Sequence, residues 1–423
     1  MTAGIIVVLL LVLAATFWRR LGRVRTALGL GYLLSTGHVF LIFGYLLGLA
    51  FGEQSASLDK SIAPIITFVT GWVGFATGMR FELNVLRAVP RRAFSVALVP
   101  AVAAAAVVGP ACYALLALTG TEQTRALGAA MVLAAAAASS GPTLAAILRT
   151  RRPGRSAQMR STLRMVELSA GLDDVIVIML AVLGFALFRR VDEVVSPVGQ
   201  VAMSAGGGAL LGVVTWLFLG GRAAEDERLL LGLAMLAFTA GFASWLMISP
   251  AAVTAISAVV LANLPGGRIA QLFQAVRRVE RPAVVILMTV IGFRIAGPLG
   301  WQVAPLVVFM TLLRMAAKYT SGQMVAGPII GAPGLVAGPG WAHGLVPQGT
   351  LGLMITLGFY QVWHDDIARW VLAAVAISGL INEIVAPILF ARTLQAQHAR
   401  AVSQTGQTGD PGQSVEQPRE DAA

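Results

Sequence analysis

Two adjacent aspartates, Asp173 and Asp174, interrupt the apolar run SAGLDDVIVIML at 169–180. Carboxylates are costly in such surroundings unless they are paired, hydrogen-bonded or occupied by an ion. Neighbours on a helix project about 100° apart, so the two side chains are suited to different tasks. Carboxylate, hydroxyl and carbonyl oxygens accept a hard cation such as sodium, and a carboxylate also accepts a proton. Proton and cation then compete for the same oxygens, and that competition is enough to make an exchanger. The alternative is a buried pair neutralised by a basic partner. The two are compatible, because the partner can belong to the mechanism.

The candidate partner is Lys318, about the middle of the apolar stretch TLLRMAAKYTSGQMVAG. Arg314 lies one turn earlier on the same helix face. A Lys318–aspartate pair would hold an empty site together and release when a cation arrives. Arg314 stays charged under all ordinary conditions, so it is assigned a fixed structural charge or a carbonyl-bonding role. Glu167 is seven residues before Asp174, on the same helix face; an access funnel and interfacial snorkelling both fit it. Asn382 and Glu383, in LINEIVAPILFARTL, are buried polar residues for which a structural hydrogen-bond role is preferred. His38 is read as a packing residue. Asp365 and Asp366 are read as a solvated loop face.

These residues must be positioned by membrane-spanning helices. Of 423 residues, 57% are hydrophobic and 12% charged; soluble domains carry roughly 25% charged residues. A span needs about 20 apolar residues, and such windows recur along the chain. About thirteen are expected, near 3–18, 27–51, 61–79, 93–118, 125–149, 163–188, 198–220, 228–247, 250–264, 281–297, 303–327, 341–362 and 367–391. Asp173 and Asp174 lie about ten residues into the sixth, roughly 15 Å deep. The net charge of +11 comes largely from short loops between apolar runs, which sets orientation and gives no reason to expect a nucleic acid partner. Basic loops follow spans 1, 3, 5 and 9; acidic or near-neutral ones follow spans 2, 4 and 12, while FRRVDEVV is ambiguous. The N-terminus is therefore expected outside and the C-terminus in the cytoplasm of a multi-pass inner-membrane protein. The N-terminal apolar run lacks a basic leader and is read as the first span. Cys112 is the only cysteine, which excludes a disulfide framework. Residues 395–423 are polar with Gly and Pro and are expected to form a disordered cytoplasmic tail, with no soluble regulatory domain.

Two spans carry interruptions. ALGAAMVLAAAAASSGPTLAAILR contains Ser139, Ser140, Gly141, Pro142 and Thr143; GWAHGLVPQGTLGLMITLGFY contains Gly344, Pro347, Gln348 and Gly349. Irregular backbone at bilayer depth is tolerated where it lines a cavity or is buried in protein. Interrupted spans at matching places in two halves point to an inverted-repeat transporter site. If spans 2–6 and 9–13 form the repeats, each break falls in the fourth helix of its repeat. Ser140 and Thr143 can supply oxygens at the first break, and Gln348 sits at the second.

The order of these features resembles the monovalent cation/proton antiporter superfamily, most closely bacterial sodium/proton antiporters with a paired-aspartate motif. The resemblance covers nearly all of 27–394 and rests on GYLLGLAFG, FVTGWVGFATGMRFELNVLRAVPRRAFSVAL, ASSGPTLAAILR, GLDDVIVIML, LLRMAAKYTSG and VPQGTLGLMI. It implies an all-α inverted-repeat fold with two crossed broken helices. Core helices around 61–188 and 281–391 would move, elevator-fashion, against dimerisation helices around 3–51 and 198–264 of a homodimer. Asp174 takes the place of the carrier aspartate, Asp173 the variable position whose aspartate accompanies electrogenic exchange, and Lys318 the basic position that pairs with the acid. The chain departs from the pattern in two places: Gln348-Gly349-Thr350 stands where many relatives have Arg-Gly-Glu, and Ser140 where the first break usually has an acid. Both departures leave ion selectivity open.

The implied activity is exchange of sodium or lithium for protons. Potassium/proton exchange is one alternative. Another is sodium-coupled symport of an organic anion on the same fold, which would want a larger apolar cavity beside the breaks and sodium ligands at Glu or Asn. A third is a non-transporting scaffold with a purely structural charged core. There is no P-loop, no H-E-x-x-H and no nucleotide fingerprint, so neither an enzyme nor a cofactor is expected. SAGGGALLG at 204–212 is read as a small-residue packing face.

Overall fold

The computed structural model describes residues 32–407 apart from 34–35, 52–54, 88, 90, 152–156, 189–194, 220–224, 266–269 and 330–339. The expected span at 3–18, its basic loop, most of the ambiguous loop at 188–195 and the end of the tail lie outside the described residues.

The described residues are helical almost throughout. In chain order the main helices are α1 (His38–Phe51), α2 (Ser55–Gly78), α3 (Arg91–Leu118), α4 (Gln123–Ala138), α5 (Thr143–Arg151), α6 (Ala157–Leu172), α7 (Asp174–Leu187), α8 (Pro197–Leu219), α9 (Glu225–Trp245), α10 (Pro250–Asn263) and α11 (Ala270–Ile295). They continue with α12 (Val303–Val308), α13 (Arg314–Ile329), α14 (Thr350–Trp363) and α15 (Asp366–Gln407). Among the described residues, six helical stretches are long and apolar enough to cross a membrane: Ala93–Leu118, Met159–Leu187, Pro197–Leu219, Glu227–Trp245, Val303–Val325 and Asp366–Ala396. Four shorter apolar helices accompany them, at His38–Phe51, Ile62–Gly78, Pro250–Asn263 and Thr350–Trp363. The protein is a multi-pass membrane protein. Of the other expected spans, 125–149 is split between α4 and α5. The one at 281–297 falls in α11, whose first half carries Arg277, Arg278, Glu280 and Arg281.

Small residues set which helices meet closely. A side chain at Gly74 would run into the Ala251 carbonyl and one at Gly78 into that of Ala255, so α2 lies almost backbone-to-backbone on α10. Gly44 on α1 meets the Thr289 carbonyl of α11, and Gly292 meets that of Leu41. Within the SAGGGALLG face, Gly208 and Gly212 press on α10 at Val253 and Ser257, whereas Gly206 faces open space. The α2 and α11 helices, expected with the moving core, thus pack along α10 and α1, both expected on the scaffold side. The short α10 is largely buried and begins with Ser249 accepting from the Ala252 amide and Pro250 in the first turn.

Around the two breaks, α3 packs on α4, α6 and α13, and α7 packs along α4. A second apolar cluster, including Leu144, Leu163, Val166, Trp341 and Phe390, fills the space beneath the breaks. The tail differs from expectation: α15 runs on through Gln407, past the expected start of disorder at 395. Its run ARTLQAQHARAVSQ is made mostly of good helix formers, and the first glycine is Gly406. Polarity alone was a poor guide to the helix end there.

Candidate functional site

Helix α4 ends at Ala138, and Ser139 is extended (φ −65°, ψ 133°). Pro142 explains the stop, since it lacks an amide donor and its ring would collide with the preceding helical turn. The chain resumes helix at Thr143. At the second break, a 3₁₀ turn at Trp341–Leu345 gives way to Val346, Pro347, Gln348 and an extended Gly349, and α14 starts at Thr350. The two interruptions pair with each other. Ser140 and Gln348 form an isolated antiparallel bridge, and the Gly141 amide donates to the Pro347 carbonyl at 2.9 Å. Gly349 lies so close that a side chain there would overlap Ser139 Oγ.

A helix end leaves its last carbonyls without partners and carries partial negative charge. Here α13 supplies both counter-cations. Arg314 is fully buried; its Nε donates to the Ala137 carbonyl (3.0 Å), Nη1 to Val346 (2.6 Å), and Nη2 to Ser139 (2.6 Å) and Pro347 (3.2 Å). One planar fork thereby ties the ends of both half-helices. Lys318, also buried, donates to the Ala138 carbonyl at 2.6 Å and to Ser140 Oγ at 2.5 Å. A π-helical turn at Phe309–Leu313 directly precedes Arg314; such turns are frequent at functional sites.

Asp173 stands at a loosened turn between α6 and α7, with helical backbone (φ −65°, ψ −21°). Asp173 and Asp174 are buried, at 2% and 5% exposure. Lys318 Nζ lies 3.6 Å from Asp173 Oδ2, and Ser140 sits within reach of both. The other Asp173 oxygen, Oδ1, has no partner among the described residues. A buried carboxylate oxygen left open in this way is a place where a proton or small cation can be taken up. Asp174 faces Asp173 and the charges of Arg80 and Glu280, which form an ion pair between the end of α2 and α11.

The structure therefore brings Asp173, Asp174, Lys318, Arg314, Ser139, Ser140, Pro347 and Gln348 to one place. Pro142 and Thr143 open α5 and are half-buried. Glu167 is half-buried two turns before Asp174. Glu383, on α15, is buried beside the second break, next to the Tyr32 hydroxyl, the Gln348 amide and Arg314. Ser378 Oγ is 3.5 Å from Gln348 Oε1. His38 is buried against Thr36. Sequence reasoning missed Tyr32, Ser378, Arg80 and Glu280. Only distant chain contacts give these residues a role, and no local pattern marks them. Among the described residues no group of three or more His, Cys, Asp or Glu could hold a metal.

No family model matches the chain, and no curated protein matches it. Solved structures do. One, of the sodium proton antiporter MjNhaP1 from Methanocaldococcus jannaschii at pH 8, superposes with TM-score 0.56 at 12% identity, over 92% of this chain and 99% of that one. A second structure of MjNhaP1 gives TM-score 0.51 at 14% identity, over 87% and 92%. At such identities the likeness is one of fold, and over nearly its whole length the chain has the fold of this antiporter.

Proposed function

We propose that the protein is a secondary active antiporter that exchanges a monovalent cation, sodium or lithium, for protons. The observation that carries this reading is the buried Lys318–Asp173 pair at the point where both helix breaks meet. With the site empty, Lys318 holds Asp173. A cation entering between the aspartates takes over their charge and frees Asp173 from Lys318, which keeps its bonds to the Ala138 carbonyl and Ser140. A proton does the same work from the other side of the cycle. The two breaks act as the crossed broken helices of an inverted repeat, and the bundle around them, α3–α7 with α13–α15, moves elevator-fashion against α8–α10. Because α2 and α11 pack on the scaffold helices, they stay with that side, and the Arg80–Glu280 pair faces Asp174 from it. In this reading the active form is a homodimer, with the N-terminus outside and the C-terminus cytoplasmic, an orientation that the alternation of loop charge supports.

Symport of an organic anion gains no support from the apolar cavity of about 510 Å³ between α3, α4 and α7, which is lined by residues such as Val102, Met131, Ile176 and Leu183 and by no residue of either break. The cavity offers no cationic group to orient a carboxylate.

In proteoliposomes, an imposed pH gradient should dissipate on addition of sodium or lithium, and Asp174→Asn should abolish the response. Absence of any response to sodium, lithium or potassium in the wild type removes the basis for antiport.

A further inference from the structure

Glycines close two helix seams along α4. Gly109 of α3 faces Ala134, whose methyl would stand 3.2 Å from an added Cβ, and Gly128 of α4 lies on the Phe188 backbone at the end of α7. Gly184 of α7 meets Val132 in the same seam. Helices α3 and α7 thus both lie on α4, yet they meet each other in few places. The space left between them is the apolar cavity of about 510 Å³, with α4 as its floor. On the floor Ala130 and Ala134 are buried, while on the walls Val102, Met179 and Leu183 are exposed. The cavity is therefore a slot open along one side.

The slot has a direction and a length. Tyr113, Leu127 and Leu183 line it near the end of α3, the start of α4 and the end of α7, and these helix ends lie together. Val102, Ala134 and Ile176 line the opposite end. From Tyr113 back to Val102 the α3 axis covers about 16 Å, which matches one leaflet of a hydrocarbon core about 30 Å thick. The deep end lies one turn before Ala138, where α4 stops at the first break, and beside Asp174 at the start of α7. Among the lining side chains only that of Tyr113 carries an oxygen or nitrogen. It stands at the shallow end, where tyrosine suits a membrane interface.

We infer that the slot is the seat of one acyl chain of a membrane lipid, which enters from the leaflet at the Tyr113 end and brings its terminal methyl beside Ala134 and Ile176. The lining offers dispersion contacts and little else, and an empty slot would forfeit them. A helix is the other candidate, either residues 3–18 or a second copy. It is about 10–12 Å across and over the same length would fill roughly twice the volume or more, so it can lie over the slot but not in it. Selection is by shape. Small residues at Ala105, Ala106, Gly109, Ala130 and Ala134 leave a channel suited to an unbranched chain. The seated chain completes the packing of α3 against α4 and α7, the helices that carry the first break and Asp174.

The test uses full-length protein in vesicles that contain a straight-chain phosphatidylcholine with a photoreactive diazirine at a known carbon, and mass spectrometry locates the labelled residues. A diazirine near the headgroup should label Tyr113 or Leu127, and one at the chain end should label the buried Ala134 or Ile176. Ala106→Phe puts a ring into the slot from an exposed position. It should lose labelling at Ala134 and keep it at the exposed Leu312 and Met324. When the host lipid has methyl-branched chains, labelling at Ala134 relative to Leu312 should rise, because the branched chains compete poorly for the slot. Wild-type protein labelled at Leu312 and Met324 but not at Ala134 overturns the inference. So do the reverse order of labelling along the slot, undiminished labelling of Ala106→Phe at Ala134, and a ratio that ignores the host lipid. A disulfide between two Ala106→Cys chains, made in a Cys112→Ser background, would place a second copy over the slot and overturn it as well. The wild-type labelling decides the matter even if Ala106→Phe does not fold.

Discussion

The Lys318 ammonium and the Asp173 carboxylate face each other at 3.6 Å, with side-chain exposures of 1% and 2%. Lys318 makes its shorter contacts elsewhere, to the Ala138 carbonyl at 2.6 Å and to Ser140 at 2.5 Å. The pair is thus attractive but not closed, and the lysine is already seated on the first break. Removing one partner leaves the other as a buried uncompensated charge, at a cost of about 3–5 kcal/mol, whereas removing both is much milder. Lys318→Gln should therefore destabilise strongly. Asp173→Asn combined with Lys318→Gln should lose less than the two single changes together, by about 1–3 kcal/mol. Thermal unfolding of the purified variants in detergent measures this, and simple additivity would show that the two side chains do not interact.

Arg314 acts through shape as well as charge. Its fork bonds four carbonyls on two separate chain interruptions. Lysine keeps the charge but cannot span both ends. Arg314→Lys is expected to lose about 3 kcal/mol of stability, as charge-assisted bonds are given up, and to lower transport. Asp174→Asn, by contrast, should stop transport with little loss of stability, since it removes a buried charge and keeps the volume. Equal melting temperatures for Arg314→Lys and wild type would contradict the bridging role.

Gly349 allows the two breaks to touch. A methyl group there would collide with Ser139 Oγ. Gly349→Ala should cost about 1–3 kcal/mol through overpacking and should weaken sodium-dependent proton movement. Combining it with Ser139→Gly should recover part of both. A neutral Gly349→Ala would mean the breaks have room to separate.

Arg80 and Glu280 face Asp174 from α2 and α11, half-exposed and paired. Glu280→Gln leaves Arg80 to repel an arriving cation, so the KM for sodium should rise about two- to fivefold. Arg80→Gln leaves Glu280 to attract one, and KM should fall. Both shifts should shrink as ionic strength rises, because partly exposed charges are screened. Shifts of the same sign in the two variants would contradict an electrostatic origin.

Much of this was legible in the chain. The apolar windows, the buried Asp173-Asp174 pair and the basic residues Arg314 and Lys318 stand out because charge inside a greasy run is rare and costly. The stops at Pro142 and before Thr350 follow from local backbone chemistry. What the windows could not convey was how far α15 continues, since helix propensity persists beyond apolarity.

The sequence by itself determined that the chain spans a membrane repeatedly, that two apolar stretches are interrupted, and that carboxylates and cations stand inside apolar stretches. These follow from composition and local sterics, which act over a few residues. Only the tertiary structure decided that Ser140 meets Gln348, that one guanidinium serves both interruptions, and that Glu383 joins the group through Arg314. Those contacts join segments 30 or more residues apart, and close helix packing through Gly74, Gly78 and Gly292 holds neighbouring helices in place. A buried charge announces in sequence that it needs a partner, but the partner is chosen by which helices the fold can bring within a few ångströms.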